Sequence, residues 1–95
     1  MDERRARQGG DEEMPLVKLY ATLRKAAGEK EYPSQARTVG QVLEELRERY
    51  GDGVIRYLRG CIVLVNGQNI GYLKGKRTKL KAEDEVSIFP PLAGG

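Results

Sequence analysis

The sequence EVSIFPPLAGG, residues 85–95, is the most informative stretch of this 95-residue chain. Val86, Ile88 and Phe89 predict a strand. Two prolines follow it, and they predict the end of the strand because proline fixes φ and lacks the N–H that a ladder needs. The strand is therefore expected to lead directly into a short tail.

The tail after the prolines consists of Leu92, Ala93, Gly94 and Gly95. Glycine has no Cβ, so a Gly-Gly end is thin and conformationally permissive, and we expect it to be flexible. The two prolines favour an extended exit from the sheet. We expect the tail to present the carboxylate of Gly95 to a partner's active site, with an incidental frayed terminus as the alternative interpretation.

The composition excludes several kinds of active site. The chain has no histidine and a single cysteine, Cys61. No Cys/His metal set, Ser-His or Cys-His nucleophile pair, or disulfide framework can therefore be built. One unpaired cysteine fits a reducing cytoplasm, and the sequence contains neither an apolar run long enough for a membrane span nor a signal-peptide core. We therefore expect a cytoplasmic protein without a metal site.

The first half of the chain predicts one small domain preceded by an extension. Residues 1–13 are dense in charge and glycine, and we expect them to be disordered. The domain should span residues 14–95, including the tail at 90–95. It should begin with a strand at residues 16–20, followed by a short helical turn or wide loop that stops at Gly28, and then by a weak second strand.

The clearest local pattern predicts a helix that begins after Thr38 and ends at Gly51. Thr38 and Gln41 have the spacing of a capping box. Glu45 and Arg49 are four residues apart and are predicted to pair on another face of the helix. Apolar residues recur on one face, which should lie on a sheet: Val39, Val42, Leu43, Leu46 and Tyr50.

The second half of the chain predicts further strands. Residues 52–60 should form a connection, with Ile55 and Leu58 reaching into the core. Residues 61–65 are all apolar and predict a central strand that is covered on both faces. The pair Asn66-Gly67 indicates a tight turn. Together these elements predict an α+β domain in which a mixed sheet packs on one main helix.

A cluster of basic residues lies between the tight turn and the last strand: Lys74, Lys76, Arg77, Lys79 and Lys81. With a net charge of only +3 for the chain, the cluster is either a solubilising surface or a docking site for an acidic partner. The aromatic residues lack the stacking pattern of RNA-recognition strands, so we do not expect nucleic-acid binding.

Three parts of the sequence carry a family resemblance: residues 19–24 with Gly28, residues 38–40 with Leu43, and residues 65–67 with Leu80 and residues 83–95. The most specific element is the motif Phe-Pro-Pro-x-x-Gly-Gly at residues 89–95. The chain resembles the MoaD-type small subunit of molybdopterin synthase, within the MoaD/ThiS family of ubiquitin-like sulfur carriers. The resemblance covers residues 14–95 and implies the ubiquitin-like β-grasp fold.

The resemblance implies a sulfur-carrier cycle. An E1-like enzyme of the MoeB/ThiF type would use ATP to adenylate Gly95, and a sulfur donor would displace AMP to leave a thiocarboxylate. The tail would then enter a MoaE-like large subunit and give its sulfur to a pterin precursor of the molybdenum or tungsten cofactor. The chain itself would bind no cofactor and would be a sulfur-donating subunit of the synthase that is not a catalyst by itself.

The same resemblance assigns roles along the tail. Gly95 would carry the adenylate and then the sulfur, Gly94 would give a thin approach, and Leu92 would anchor the tail. Phe89 and Ile88 would shape the docking surface. The full partner-binding segment is Ile88, Phe89, Pro90, Pro91, Leu92, Ala93 and Gly94. Two alternatives stay open: a ubiquitin-like modifier joined to lysines through Gly95, and a binding module whose Gly-Gly is incidental.

Overall fold

Five strands form one mixed sheet in the computed structural model, which describes residues 14–91. The strands are β1 (Leu16–Leu19), β2 (Glu31–Pro33), β3 (Ile62–Val65), β4 (Gln68–Asn69) and β5 (Glu85–Phe89). Their order across the sheet is β2-β1-β5-β3-β4. The β1–β5 pair is parallel, and the other neighbouring pairs are antiparallel. The last strand is therefore the central one, and the chain leaves the sheet from its middle.

The connections between the strands are helical, except that the tight turn Asn66-Gly67 joins β3 to β4, as predicted. The α-helices are α1 (Ala21–Ala27), α2 (Val39–Tyr50) and α3 (Asp52–Leu58). Two 3₁₀ turns, Ile70–Tyr72 and Gly75–Arg77, follow β4. The longest helix, α2, is the main helix that the periodicity of the sequence predicts.

The hydrophobic core lies between one face of the sheet and the helices. Alternate residues of the three middle strands are buried because successive side chains of a strand point to opposite faces. On the sheet these residues are Val17, Leu19, Val63, Val65, Val86 and Ile88, and on α2 they are Val39, Val42 and Leu46. A main helix packed on a mixed sheet with parallel first and last strands is the ubiquitin-like β-grasp, so the fold prediction is confirmed.

The predicted ends of α1 and α2 are confirmed. The predicted capping box at the N-terminus of α2 forms only in part. The backbone N–H of Gln41 donates to Oγ1 of Thr38 at 3.2 Å, as a cap requires. The Gln41 side chain, however, accepts from the N–H of Arg37 at 2.6 Å, one residue before the capping position. Gly28 ends α1 in the left-handed region, with φ of 79°, where glycine is favoured.

The prediction of a simple connection at residues 52–60 is wrong, because this segment contains α3. Leu58 is buried as predicted, but the side chain of Ile55 is 39% exposed and Val54 is fully buried instead. Val54 and Leu58 are four residues apart and therefore lie on the same face of a helix, and this spacing selects them for the core.

The prediction that β3 is covered on both faces is also wrong. β3 is an interior strand, but it lies between β5 at the centre and the short edge strand β4. Val63 and Val65 are buried, whereas Ile62 and Leu64 are only half-buried. Ile62 and Leu64 therefore face away from the core, although they are as apolar as the buried Val63 and Val65.

The predicted pair of Glu45 with Arg49 does not form, because Glu45 has other partners. Its Oε1 accepts from the hydroxyls of Tyr32 at 3.0 Å and Ser34 at 2.6 Å. Its Oε2 accepts from the backbone N–H of Gln35 at 2.9 Å. One carboxylate on α2 thus holds β2 and the segment that follows it, a long-range contact that helix spacing does not reveal.

Arg49 instead packs across two tyrosines. Its guanidinium lies 4.1 Å from the centroid of the Tyr32 ring, and its Nη2 is 3.5 Å from Oε1 of Glu29. The Tyr50 hydroxyl donates to the same Glu29 oxygen at 3.1 Å. These contacts join the end of α2 to the chain segment that leads into β2.

We predict that replacing Tyr32 by Phe reduces the loss of stability at alkaline pH. Burial, followed by the charge of Glu45, raises the pKa of Tyr32 above its ordinary value of 10.0. The unfolded chain therefore releases this proton at lower pH than the native state, so the free energy of unfolding should fall as pH rises through 10. This one group contributes up to about 1.4 kcal/mol per pH unit. Urea unfolding of both proteins between about pH 8 and pH 11 measures the difference.

Tyr50→Phe is the matched control, since the Tyr50 hydroxyl is less buried and bonds to the exposed Glu29. Tyr50→Phe should reduce the fall of the free energy of unfolding at alkaline pH less than Tyr32→Phe does. Identical slopes for the unmodified protein and Tyr32→Phe above pH 10 would contradict the account of Tyr32.

Candidate functional site

The residues predicted to carry the chemistry lie partly beyond the described part of the chain. Leu92, Ala93, Gly94 and Gly95 follow Pro91, the last residue that the structure describes, and residues 1–13 precede the first. The structure therefore bears on residues 88–91, which we call the tail root.

The tail root begins with two residues whose side chains point to opposite faces of the sheet. Ile88 is fully buried against the core, and Phe89 is half-buried on the other face. The prediction that both shape a docking surface is therefore corrected for Ile88, whose side chain supports β5 from within the core. Phe89 remains the residue that a partner can touch.

Phe89 is held in place by an aromatic contact. Its ring is stacked on that of Tyr20, with 4.4 Å between the ring centroids and 9° between the planes. The backbone N–H of Tyr20 also donates to the carbonyl of Ile88 at 3.1 Å. Tyr20 caps α1 through its carbonyl, which accepts from the N–H groups of Leu23 and Arg24. The end of β5 is thus fixed to the beginning of α1.

Pro91 lies against the turn between α3 and β3. Gly60 in this turn has φ of 81°, which a residue with a side chain rarely adopts. A Cβ placed on Gly60 would lie 3.7 Å from Cβ of Pro91. The tail root is therefore held by Tyr20, at the start of α1, through Phe89 and by the α3–β3 turn through Pro91.

The sheet face opposite α2 carries an apolar surface that we call the open face. It consists of the half-buried residues Ile62, Leu64 and Phe89, while Leu16 lies on the same face at the other end of the sheet, opposite Glu85. Ile62 is paired directly with Phe89 across β3 and β5. Contiguous apolar residues on an outer face are typical of a protein-binding surface. Sequence reasoning missed Ile62 and Leu64 because an unbroken apolar strand was interpreted as buried on both sides.

A charged pair lies on the same open face beside the apolar residues. Lys18 on β1 forms an ion pair with Glu85 at the start of β5. The hydrogen bond to Glu85 raises the pKa of Lys18 above its ordinary value. The open face therefore combines an apolar region near the tail root with an ion pair at the opposite end of β5.

Cys61 is a structural residue by its surroundings. It is half-buried just before β3, and burial raises the pKa of its thiol, an effect that the charge of Lys76 partly offsets. A raised pKa disfavours the reactive thiolate at neutral pH. Within residues 14–91, no three Cys, Asp or Glu side chains are grouped so that they could hold a metal ion. No helix in that range is long and apolar enough to cross a membrane.

Comparison with known sequences identifies the family. The sequence matches the ThiS family over residues 17–95, so this chain belongs to the ThiS family. It is 37% identical to small archaeal modifier protein 3 of Haloferax volcanii, over 83% of this chain and 96% of that protein. It is 31% identical to a putative sulfur carrier protein of Archaeoglobus fulgidus, again over 83% and 96% of the two chains.

Solved structures with the same fold belong to several kinds of protein. Small archaeal modifier protein 1 of Methanosarcina acetivorans superposes with a TM-score of 0.74 at 35% identity, over 85% of this chain and 95% of that one. A structure of the BexX/CysO complex from Amycolatopsis orientalis superposes with a TM-score of 0.71 at 25% identity, over 85% of this chain and 99% of that one. A putative molybdopterin converting factor subunit 1 of Pyrococcus furiosus superposes with a TM-score of 0.60 at 26% identity, over 82% of this chain and 97% of that one.

These matches define the class to which the chain belongs. It is a ubiquitin-like β-grasp protein, either a sulfur carrier or a ubiquitin-like modifier. The resemblance to the MoaD/ThiS family is thereby confirmed at the level of the family. A structure of the fold in complex with another protein also supports the expectation of a partner protein.

We predict that Phe89 and Tyr20 are energetically coupled. Replacing each by Leu, singly and together, should give a coupling free energy of about 1 kcal/mol, the usual strength of a stacked aromatic pair. Urea unfolding of the two single variants and the double variant provides the measurement. The control cycle combines Phe89→Leu with Tyr50→Leu, since Tyr50 lies on α2 and packs on Tyr32. Additive effects in the Phe89–Tyr20 cycle would contradict the role of the stack.

Proposed function

We propose that this chain is a sulfur carrier whose Gly95 is adenylated by an E1-like enzyme and then converted into a thiocarboxylate. The observation that carries the proposal is the fixed tail root, with Phe89 stacked on Tyr20 and Pro91 against the Gly60 turn, placed directly before Leu-Ala-Gly-Gly. The family match extends to residue 95 and supports the same role for the tail.

The chemistry explains why activation is needed. A carboxylate is a poor electrophile, so one of its oxygens attacks the α-phosphate of ATP and releases pyrophosphate. A sulfide-level nucleophile then attacks the acyl carbon of the mixed anhydride, and AMP leaves with the anhydride oxygen. The product is the thiocarboxylate of Gly95. ATP is consumed by the activating enzyme, and this chain supplies only the reacting carboxylate.

The shape of the tail fits this task. Four residues beyond Pro91 extend at most roughly 13 Å, far enough to enter a narrow channel on a partner. Gly94 and Gly95 carry no Cβ, so they fit where a side chain would not. A fixed root reduces the conformational freedom that is lost when the tail is inserted, and this favours binding.

We propose that the open face docks on the activating enzyme, of the MoeB/ThiF type, and on the large subunit that uses the sulfur. Ile62, Leu64 and Phe89 provide apolar area beside the tail, as the centre of a protein interface requires. The same face serves both partners in turn, because each must receive the tail from the same direction.

The proposed acceptor is a pterin precursor of the molybdenum or tungsten cofactor, bound by a MoaE-like subunit that supplies the acid/base groups. The Phe-Pro-Pro-x-x-Gly-Gly motif supports this acceptor. The structural similarity to a putative molybdopterin converting factor subunit 1 supports it too. In this role the chain is a cytoplasmic co-substrate that carries sulfur between two enzymes.

A second candidate function is that of a ubiquitin-like modifier. It is favoured by the 37% identity to small archaeal modifier protein 3 and the 35% identity to small archaeal modifier protein 1 of another archaeon. Activation at Gly95 would be the same, but a lysine amine would finally attack the acyl carbon and form an isopeptide bond. The two functions therefore differ only in the steps that follow formation of the Gly95 adenylate.

We predict that the E1-like enzyme of the host catalyses ATP–pyrophosphate exchange that depends on this protein and on Gly95. Deletion of Gly95 should abolish exchange, because the terminal carboxylate is then displaced by one residue. Ile62→Asp should raise the KM for this protein at least tenfold, because a carboxylate would be buried in an apolar interface. Thr22→Asp, at an exposed position on α1, is the matched control and should leave exchange unchanged. Exchange that survives deletion of Gly95 would overturn the proposal.

The two candidate acceptors are distinguished with the activated protein. Incubation with a MoaE-like subunit and a pterin precursor should yield the dithiolene product and return the carboxylate form. Covalent adducts of higher mass on lysines of other proteins, with no sulfur transferred to the pterin, would select the modifier function.

A further inference from the structure

A strongly basic stretch of the chain runs from α3 to the turn before β5. Residues 53–82 contain seven basic side chains and no Asp or Glu: Arg56, Arg59, Lys74, Lys76, Arg77, Lys79 and Lys81. All seven are exposed. Among the ion pairs within residues 14–91, none involves any of the seven. Their charges are therefore available to carboxylates of another molecule.

Part of this surface is concave and contains an exposed aromatic ring. A depression of about 690 Å³ is lined by Tyr72, Leu73, Lys74, Arg77, Thr78 and Lys79. The side chain of Tyr72 is 84% exposed, so it contributes little to the core. The depression thus offers apolar area from Tyr72 and Leu73 next to three positive charges. We call these six residues the basic depression.

The backbone of the basic depression is held by hydrogen bonds at its floor. Oγ1 of the buried Thr78 accepts from the N–H of Lys74 at 3.1 Å. The carbonyl of Thr78 accepts from the N–H of Val39, the first residue of α2, at 3.0 Å. A Cβ added to Gly40 would lie only 3.3 Å from the carbonyl oxygen of Lys76, so the loop packs closely on α2. A surface fixed in this way loses little conformational freedom on binding.

The basic depression lies between the β4 edge of the sheet and the N-terminus of α2. Asn69, which pairs with Leu64, directly precedes the 3₁₀ turn that contains Tyr72. Lys79 forms an isolated bridge with Thr38, the capping residue of α2, and the chain then turns at residues 81–84 into the start of β5. The basic depression is therefore a surface separate from the tail root, which lies at the other end of β5.

We propose that the basic depression is a second contact site, which binds an acidic segment of a partner protein that also carries an apolar side chain. Carboxylates of the segment pair with Lys74, Arg77 and Lys79, and the apolar side chain covers the rings and methyls of Tyr72 and Leu73. Complementary charge of this kind speeds association and fixes the orientation of docking. The proposal does not depend on which acceptor the tail serves.

The observations favour a protein segment over a nucleic acid. Single-stranded nucleic acid binds to successive stacking platforms along a positively charged groove. The basic depression has one exposed ring, Tyr72, and a floor formed by Leu73 and Thr78. One ring beside an apolar floor suits a side chain with neighbouring carboxylates better than a run of bases.

The test measures binding of short fluorescent peptides to the full chain by anisotropy. The first peptide contains Asp, Glu and Leu, the second replaces each Leu by Ser, and the third replaces each acidic residue by Lys. The first should bind most tightly, with an affinity that falls with added salt. Lys74→Glu combined with Arg77→Glu should weaken its binding at least tenfold, and Tyr72→Ser should weaken it several-fold.

The control variant combines Lys25→Glu with Lys30→Glu. It changes the net charge by the same amount, on two exposed residues that do not line the basic depression: Lys25 on α1 and Lys30 just before β2. Its affinity should stay within twofold, and the ¹H–¹⁵N spectra of both double variants should show the native fold. Equal weakening by the two double variants, or equal binding of the Leu and Ser peptides, would overturn the proposal. Tighter binding of oligothymidylate or oligouridylate that is lost in the Lys74/Arg77 variant would overturn it in favour of nucleic acid.

Peptide binding requires neither ATP nor Gly95. A negative result in this assay therefore leaves the sulfur-carrier proposal unaffected, and failure of ATP–pyrophosphate exchange leaves this one unaffected.

Discussion

The pairing of β5 with a strand on each side is the constraint on which the rest of the structure depends. β5 is parallel to β1 and antiparallel to β3, so both of its backbone edges are hydrogen-bonded. Its buried residues, Val86 and Ile88, contact the core beneath α2. The last residue of β5, Phe89, is then fixed by its stack on Tyr20. The proposed tail thus follows a strand that is held on both sides in the middle of the sheet.

Along β5, the side chains that stabilise the fold and the side chains that are available for binding point to opposite faces of the sheet. Side chains on the covered face of the sheet stabilise the domain, and those on the open face remain available to partners. The Gly60 turn and the Tyr20 stack support the tail root from two sides, while the basic depression lies between the β4 edge and the start of α2. The open face and the basic depression are therefore separate surfaces, one apolar and one positively charged.

The features that the sequence predicts correctly depend on local chemistry. Thr38 caps α2, Gly28 ends α1 and the proline pair follows β5, because each residue acts on its own or adjacent backbone. The errors concern long-range partners. Glu45 bonds to Tyr32 rather than to Arg49, and β3 lies beside an edge strand. Neither contact can be predicted from spacing along the chain, because the partners are far apart in the sequence. For the site, the Phe-Pro-Pro-x-x-Gly-Gly motif indicated Phe89, whereas Tyr20, Gly60 and Ile62 emerge only from the fold.

The central claim is that Gly95 becomes a thiocarboxylate, and the intact mass of the protein tests it most directly. The full chain is incubated with an E1-like enzyme of the MoeB/ThiF type, ATP and sulfide, beside a variant that lacks Gly95. The account predicts a gain in mass equal to the replacement of one oxygen by one sulfur, seen only in the full chain. An unchanged mass, with an enzyme that converts another ThiS-family carrier under the same conditions, would contradict it.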